Sequence, residues 1–286
     1  MEKKNGDSDD ESPYEVNIKD CLDELVNFTL QSHSHSPLLN HDLISSLTQV
    51  TFSLFFSLHI KQTNKPFSLY NFTFSFSDSI ERVPPYPLYK CIASSLLKCI
   101  DSEAFCSTPC NLAMQKKYDE WHKLILDKGS EIVNILKSVS FEIHVQEPFF
   151  SQLKDGLKTI EGRCASGKYR RIELGNLILV NKSVVFEVQG LRKYPTFSDM
   201  LKTESLEKVL PGVESVEEGV KVYRRFYTEE KEQENGVLAI IVSKVALQPY
   251  ISLANLFSGL SYEGVQGLLG LMHTSGTSPD ALPPPR

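Results

Sequence analysis

The sequence lacks the features that mark several large functional classes. Its 286 residues carry 30 basic and 36 acidic side chains, so the formal net charge is −6. A protein that binds DNA regardless of sequence would show a basic excess, and this class is therefore excluded, although a local basic patch for RNA is not. The chain also contains no P-loop, Rossmann glycine fingerprint, nucleophile elbow or zinc-binding HExxH motif.

Cysteine usage gives little sign of a metal site or a disulfide framework. The six cysteines are irregularly spaced, which is typical of reduced thiols inside a cell. The pair Cys106 and Cys110 has a gap that a zinc site could use, but no second pair or histidine follows at the spacing of a zinc finger. We therefore expect loop cysteines, no metal and no cofactor. The acidic residues 1–13 are expected to be disordered rather than a signal or transit peptide, which predicts an intracellular protein, nuclear or cytoplasmic.

Residues 50–79 are rich in Phe and Ser and show no helical period. A membrane span is not expected, because Lys61, Asn64 and Lys65 interrupt the apolar run well before the roughly 20 residues that a span needs. One alternative is a buried hairpin that turns at Asn64-Lys65-Pro66. The other, which we favour, is a translated intron, because Phe, Ser and Leu codons dominate U-rich introns.

Apolar residues at helical spacing predict helices at 14–31, 86–101 and 114–137, with a short helix also possible at 37–49. Trp121 lies on the apolar face of the third helix and is interpreted as a core residue. These helices are the predicted contact surface for a possible protein partner.

After residue 139 the apolar period changes from helical to alternating, which predicts strands. Strands are expected near 141–145, at 177–181 and 184–193 around an Asn-Lys-Ser turn, and at 236–245. Thr196 and Ser215 each begin a segment typical of a capped helix. Strands with inserted helices and no βαβ alternation indicate an α+β protein with a small mixed barrel, preceded by an α-helical region.

The stretch from Pro148 to Arg163 concentrates the side chains that could act chemically. Its first half has helical spacing and ends at Gly156, and three charged residues then follow within six positions: Lys158, Glu161 and Arg163. One interpretation is a solvated strand of alternating charge, in which Glu161 and Arg163 form an ion pair. In a regular strand Lys158 and Glu161 face opposite sides, so bringing them together would require a bulge or turn, which Gly162 could permit.

The run Gly156-Leu-Lys-Thr-Ile-Glu-Gly-Arg163 resembles the G-x-K-T-x-E-x-R signature of ASCH (activating signal cointegrator homology) domains, which are small PUA-like β-barrels. Further matches follow in the family's order, at 172–178, 194–201, 209–212, 223–227 and 236–240. The whole chain is similar to plant ASCH-domain proteins with a helical N-terminal extension. In one position Asn176 replaces the usual aspartate, so a turn carboxylate is absent.

The resemblance implies RNA or nucleotide binding, and one bacterial family member removes the acetyl group of N4-acetylcytidine. The signature lysine, a threonine and a distal glutamate are implicated there. Here Lys158 matches the lysine, while Glu161 stands in the threonine's place. Either Glu204 or Glu214 could be the distal glutamate. A carboxylate beside Lys158 would keep the amine charged, which favours binding over nucleophilic attack.

Three functions therefore stay open: an RNA- or nucleotide-binding module, with a transcription coactivator-type adaptor as its more specific form; an amidohydrolase using Lys158, Glu161 and Glu204; and a protein-interaction scaffold. For the first, the expected ligand contacts are Lys158, Glu161 and Arg163, followed by a basic run that a solvated loop would equally explain: Lys168, Tyr169, Arg170 and Arg171. We predict segments at 1–13 (tail), 14–137 (helical), 139–246 (ASCH barrel) and 247–286 (helical tail and Pro-rich coil).

Overall fold

The computed structural model describes residues 16–32, 88–103 and 112–270. Five predictions concern residues outside these ranges: a disordered tail at 1–13, a helix at 37–49, an irregular segment at 50–79, loop cysteines at Cys106 and Cys110, and a Pro-rich C-terminal coil. The described part divides into two compact units. One contains the residues up to Cys21 with Asn134–Pro249, and the other contains the described residues of Leu22–Val133 and Tyr250–Arg286.

The second unit is helical. Helices α1 (Ile18–Ser32), α2 (Leu88–Ser102) and α3 (Leu112–Lys137) agree with the three predicted helices, and α9 (Pro249–Leu268) lies in the predicted helical tail. Trp121 is buried, as predicted. Gly129 in the middle of α3 allows close packing, because a Cβ there would lie 2.5 Å from the side chain of Ile100.

The first unit carries a five-stranded sheet of order β1-β3-β4-β5-β2. Its strands are β1 (Phe141–Ile143), β2 (Ile160–Cys164), β3 (Leu177–Val180), β4 (Val184–Tyr194) and β5 (Val237–Lys244). Only β1 and β3 pair in parallel. The predicted α+β class is confirmed, and the sheet forms a curled half-barrel with β1 and β2 at its two edges.

Short helices are inserted between the strands, at α4 (Phe149–Lys154), α5 (Phe197–Glu204), α6 (Leu206–Val209), α7 (Val216–Arg224) and α8 (Glu229–Asn235), with a 3-10 turn at Gly167–Arg171. Two of the predicted caps are present, since Thr196 accepts a hydrogen bond from Asp199 N and Ser215 accepts one from Glu218 N. These caps fix where α5 and α7 begin, and both helices contribute to the core that covers β2 and β5.

Two loops position the ends of the strands. Asn181 and Lys182, both with positive φ, form the predicted turn between β3 and β4, and the Asn181 side chain also exchanges two 2.8 Å hydrogen bonds with the backbone of Val145. Asn176 accepts a 2.8 Å hydrogen bond from Glu173 N, so an amide oxygen serves this turn without the aspartate that the family usually has.

The edge strands β1 and β2 are joined by side chains. Arg163, on β2, donates from Nη2 to the carbonyl oxygen of His144 at 2.6 Å, and Lys168 donates from Nζ to the carbonyl oxygen of Glu142 at 2.8 Å. Both acceptors belong to the segment that contains or directly follows β1. We call this junction the seam, and the candidate site lies beside it.

Candidate ligand-binding site

A cavity of about 230 Å³ opens beside the seam, and Lys158, Glu161 and Arg163 all line it. The helix α4 ends at Lys154, and Gly156, with a φ of +79°, then turns the chain. Leu157 N and Lys158 N then both donate to Gln152 O, and Thr159 N donates to Lys208 O at 3.0 Å. These bonds hold Lys158 in the linker before β2, so its side chain does not follow the alternation of a strand.

The interpretation of this stretch as a solvated strand is therefore wrong. Lys158 is 2% exposed and Glu161 is 7% exposed. A bulge at Gly162 is not needed either, because Lys158 precedes β2 and Gly162 pairs in regular register with Ala239. The expected Glu161–Arg163 ion pair is present, with 2.9 Å between Glu161 Oε1 and Arg163 Nη2.

The Lys158 ammonium uses all of its hydrogen-bond donors within the protein. Nζ lies 3.1 Å from Glu161 Oε2 and donates to the carbonyl oxygens of Ile160, at 2.7 Å, and Val209. Burial lowers the pKa of Lys158, and the carboxylate of Glu161 opposes that fall. A neutral amine has only two N–H groups and would leave one of three buried acceptors without a donor, so the geometry favours the charged form.

Glu161 lies between two cations. Burial alone would raise its pKa, but Lys158 and Arg163 outweigh this effect and the pKa is lowered, so the side chain is a carboxylate. The cluster of one carboxylate and two cations carries a net charge of +1. In an enclosed cavity that charge favours a ligand with carbonyl or anionic oxygen atoms facing it.

The Nε of Arg163 is a donor that stays available to a ligand. Its Nη2 binds Glu161 and His144 O, and its Nη1 lies 3.5 Å from the Tyr169 hydroxyl, but its buried Nε has no hydrogen-bond partner among the described residues. Burial lowers the pKa of this guanidinium, yet Glu161 more than compensates and the pKa is raised further above its ordinary value. Arg163 is a permanent cation whose orientation is fixed by the seam.

Tyr223 supplies a second buried polar group without a partner. Its ring, 6% exposed, is stacked on Phe197 with ring centroids 4.0 Å apart. Its O–H donates to no acceptor among the described residues, although the backbone N–H of Gly162 interacts with its oxygen, and burial raises the pKa of Tyr223 well above its ordinary value, so the hydroxyl keeps its proton. Gly162 makes room for it, because a Cβ at this position would lie 2.5 Å from the Tyr223 oxygen.

Aromatic rings form much of the rest of the cavity wall, at Phe149, Phe226 and Tyr227. Phe149 and Tyr227 are half-buried, whereas Phe226 is 50% exposed and so presents a large part of its ring to solvent. The cavity thus combines flat apolar walls with two unpartnered polar groups. This combination suits a small planar ligand that carries hydrogen-bond acceptors.

Comparison with protein families matches residues 143–246 to the ASCH domain. Residues 143–246 belong to the ASCH domain family. The predicted family and its PUA-like fold class are confirmed for this segment. The similarity to plant proteins with a helical extension stays a prediction.

Two solved structures are similar to this chain. The crystal structure of hypothetical protein PH0355 shares 44% sequence identity, with a TM-score of 0.36, over 37% of this chain and 98% of that chain. The NMR structure of protein PF0455 from Pyrococcus furiosus shares 44% identity, with a TM-score of 0.34, over the same shares of the two chains. A search of curated proteins gave no match.

The structure does not bring either candidate for the distal glutamate to the cavity beside the seam. Glu204 is buried elsewhere, where its carboxylate lies 2.7 Å from Arg192 Nη1 and accepts a hydrogen bond from the Tyr194 hydroxyl at 2.5 Å. Glu214 is exposed, and its described hydrogen bond is from its own N–H to Glu218. Neither residue lines the cavity.

The basic run of the ASCH domain is a 3-10 turn, and much of it is held by the protein. Lys168 binds Glu142 O, while Arg170 donates from Nε to Ala165 O at 2.8 Å and from Nη2 to Asn235 Oδ1 at 2.7 Å. Tyr169 packs beside Arg163, whose guanidinium carbon lies 5.6 Å from the centroid of the ring. Arg171 is exposed. Lys168 and Arg170 are exposed as well, so the run is a solvated turn in which these two side chains are also hydrogen-bonded to the protein.

Several lining residues of the ASCH cavity were not predicted as site residues, above all Tyr223, Phe226 and Phe149. Tyr223 and Phe226 belong to the 223–227 match to the family, and that match was the signal in the sequence that could have identified them as site residues. Nothing in their local pattern, however, shows that α7 faces β2.

In the described ranges, no group of three or more His, Cys, Asp or Glu side chains could hold a metal ion. None of the described helices is both long and apolar enough to span a membrane.

Proposed function

We propose that the ASCH domain binds a single nucleobase, either in a nucleoside or in single-stranded RNA, within the cavity beside the seam. The observation that carries this proposal is the pair of buried, unpartnered polar groups, Tyr223 Oη and Arg163 Nε, in a cavity with aromatic walls. Unpartnered buried polar groups are unfavourable by about 1–3 kcal/mol each, so a ligand that satisfies them gains that energy on binding.

The size of the cavity supports a ligand no larger than one base. Its volume of about 230 Å³ is below the range of roughly 300–1,000 Å³ typical of pockets for drug-sized ligands. A base would also contact the aromatic walls, and proteins that read single-stranded RNA hold unstacked bases in this way. Arg163 Nε can only donate, so the base must present an acceptor such as a ring carbonyl to it.

The amidohydrolase alternative has less support. A lysine that attacks a carbonyl or removes a proton must be a free amine, and Lys158 is an ammonium bound to a carboxylate and two carbonyl oxygens. The glutamate expected to assist it, Glu204, does not line the cavity. A transcription coactivator-type role and a protein partner for the helical region stay predictions.

The test measures nucleoside and RNA binding, by calorimetry, for the whole chain and for Tyr223→Phe. Loss of one hydrogen bond is expected to weaken binding roughly two- to tenfold. The same substitution removes an unpartnered hydroxyl, so the free protein is expected to be equally stable or more stable. Tyr118→Phe, which removes a hydroxyl from α3 in the helical unit, is the matched control for affinity and should leave nucleoside and RNA binding unchanged.

A destabilised Tyr223→Phe variant with unchanged affinity would show that the hydroxyl serves the fold alone and would contradict the proposal. Absence of binding to every nucleoside and to mixed-sequence RNA would contradict it as well. Incubation of the wild-type protein with N4-acetylcytidine is expected to release no cytidine. Release of cytidine that is lost in Lys158→Ala would instead establish the amidohydrolase.

A further inference from the structure

A second cavity, of about 550 Å³, lies next to the basic run of the ASCH domain. The 3-10 turn contributes Tyr169 and Arg170 to its wall, β4 contributes Lys193, and the end of α8 contributes Asn235. Apolar side chains including Leu191 and Leu238 complete the lining. Tyr169 and Arg170 were among the ligand contacts expected from the sequence, but the function proposed above uses only the first cavity.

The second cavity differs from the first in its charge, because no carboxylate among the described residues neutralises the cationic side chains of Arg170 and Lys193 that line it. Within the described ranges, neither Arg170 nor Lys193 is in an ion pair, whereas Lys158 and Arg163 share the carboxylate of Glu161. The acidic residues nearest in sequence to the lining, Glu173 and Glu234, do not line the cavity. Two cations that line one cavity, with no carboxylate in its lining, form a site for an anion.

The guanidinium of Arg170 is also held in place before any ligand arrives. Ala165 O and Asn235 Oδ1 occupy its Nε and one position on Nη2. Three of the five N–H groups of an arginine then remain for a ligand, and a phosphate matches this fork of donors. Because the two bonds fix the plane of the group, little conformational entropy is lost when an anion binds.

Tyr169 connects the two cavities. Its side chain lines the second cavity and also contacts Arg163, which lines the first. A strand of RNA with one base in the first cavity would therefore have its neighbouring nucleotide near Tyr169, Arg170 and Lys193. The ring of Tyr169 is a surface on which a base can stack, at about 1–3 kcal/mol per base in single-strand-binding proteins.

We infer that the second cavity binds the nucleotide next to the one in the first cavity, with its phosphate between Arg170 and Lys193. This inference rests on the proposed function and deepens it: the preferred ligand is single-stranded RNA of at least two nucleotides rather than a free nucleoside. The first cavity selects a base, and the second contributes affinity through the phosphodiester backbone.

The experiment compares Lys193→Gln with the wild-type protein. Lys193 is exposed and makes no described hydrogen bond or ion pair, so the fold is expected to be unaffected. Lys202→Gln removes the same charge from an exposed position on α5 that lines neither cavity, and is the matched control. Each protein is titrated with cytidine, uridine, adenosine and guanosine, and with a mixed-sequence single-stranded RNA at several salt concentrations.

For Lys193→Gln, the slope of log affinity against log salt for the RNA is expected to fall by about 0.7, the contribution of one phosphate contact on a single strand. At ~0.1 M salt this corresponds to roughly fivefold weaker RNA binding. Nucleoside binding should be unchanged in both variants, and Lys202→Gln should retain the wild-type slope.

Equal slopes for Lys193→Gln, Lys202→Gln and the wild type would overturn the inference while leaving nucleoside binding in the first cavity intact. Displacement of the RNA by polyglutamate at equal charge concentration would also overturn it, because the second cavity would then be a site for an acidic protein segment. Loss of nucleoside binding in Lys193→Gln would show that the two cavities are not separate subsites. Failure of the proposed function would appear differently, as a Tyr223→Phe variant with undiminished nucleoside affinity.

Discussion

Replacement of Lys158 by methionine tests whether this lysine is a fixed ammonium that supports the cavity. Methionine has similar length and no charge, so it fills the same space and removes the three polar contacts. Glu161 would keep only its contact with Arg163, and the carbonyl oxygens of Ile160 and Val209 would each lose a donor. We expect a large loss of stability in the sheet-bearing unit.

The magnitude follows from the distance and the burial. Unit charges 3.1 Å apart attract by about 5 kcal/mol at an effective dielectric constant of about 20. Removal of one partner from a buried ion pair typically destabilises a protein by about 3–5 kcal/mol, because the other charge is left without compensation. We therefore expect Lys158→Met to lower the free energy of unfolding by about 3–5 kcal/mol. Lys202→Met, an exposed control, should change it by less than about 0.5 kcal/mol.

The assay must report on the correct unit. The chain has a single tryptophan, Trp121, and it lies in the helical unit, so tryptophan fluorescence does not follow the sheet. Hydrogen exchange of the β2 and β5 amides does report on the stability of the sheet. The expected destabilisation corresponds to exchange that is faster by roughly two to four orders of magnitude. A change below about 1 kcal/mol in these amides would refute the ion-pair account of Lys158 and would reopen its role as a neutral base.

Two further predictions concern the same site. Gly162→Ala would place a Cβ 2.5 Å from the Tyr223 oxygen, so we expect about 1–3 kcal/mol of destabilisation together with weaker nucleoside binding, measured by calorimetry; unchanged binding would contradict the placement of Tyr223. Because the pKa of Glu161 is lowered from its ordinary value of 4.5, its contribution to stability is present above about pH 4.5 and is lost as the pH falls through the lower folded-state pKa. The protection of the β2 amides relative to an unfolded chain at the same pH should therefore fall in acid, and Glu161→Gln should flatten this dependence; an equal loss of protection in that variant would contradict the assignment.

Sequence reasoning found the features that depend on neighbouring residues. The caps at Thr196 and Ser215 and the turn at Asn181 each satisfy backbone groups within a few positions, so composition and spacing are sufficient to predict them. The Glu161–Arg163 pair is also local, because alternate residues of a strand share a face.

The cavity could not be predicted in the same way. The partners that fix Lys158 include Val209 O, 51 residues away in sequence, and the ring beside Gly162 belongs to Tyr223 on another element. The assumption that side chains alternate along a strand gave the wrong position for Lys158. The linker before β2 is held by hydrogen bonds to Gln152 O and does not alternate as a strand does. Glu204 was misplaced since its partners, Arg192 and Tyr194, lie on β4. Only tertiary contacts decide these positions.

The seam also affects how this domain could diversify. Where two strands are joined by a backbone ladder, their separation is fixed at about 4.8 Å whatever the side chains are. Across the seam, by contrast, the reach of Arg163 and Lys168 sets how far apart the two borders stand. A shorter or longer residue at position 168 would change the width of the seam without altering strand register, whereas a change at Arg163 would also remove a partner of the buried Glu161 carboxylate. Variation of the seam at a single position that leaves the architecture intact is therefore expected at residue 168 and not at Arg163.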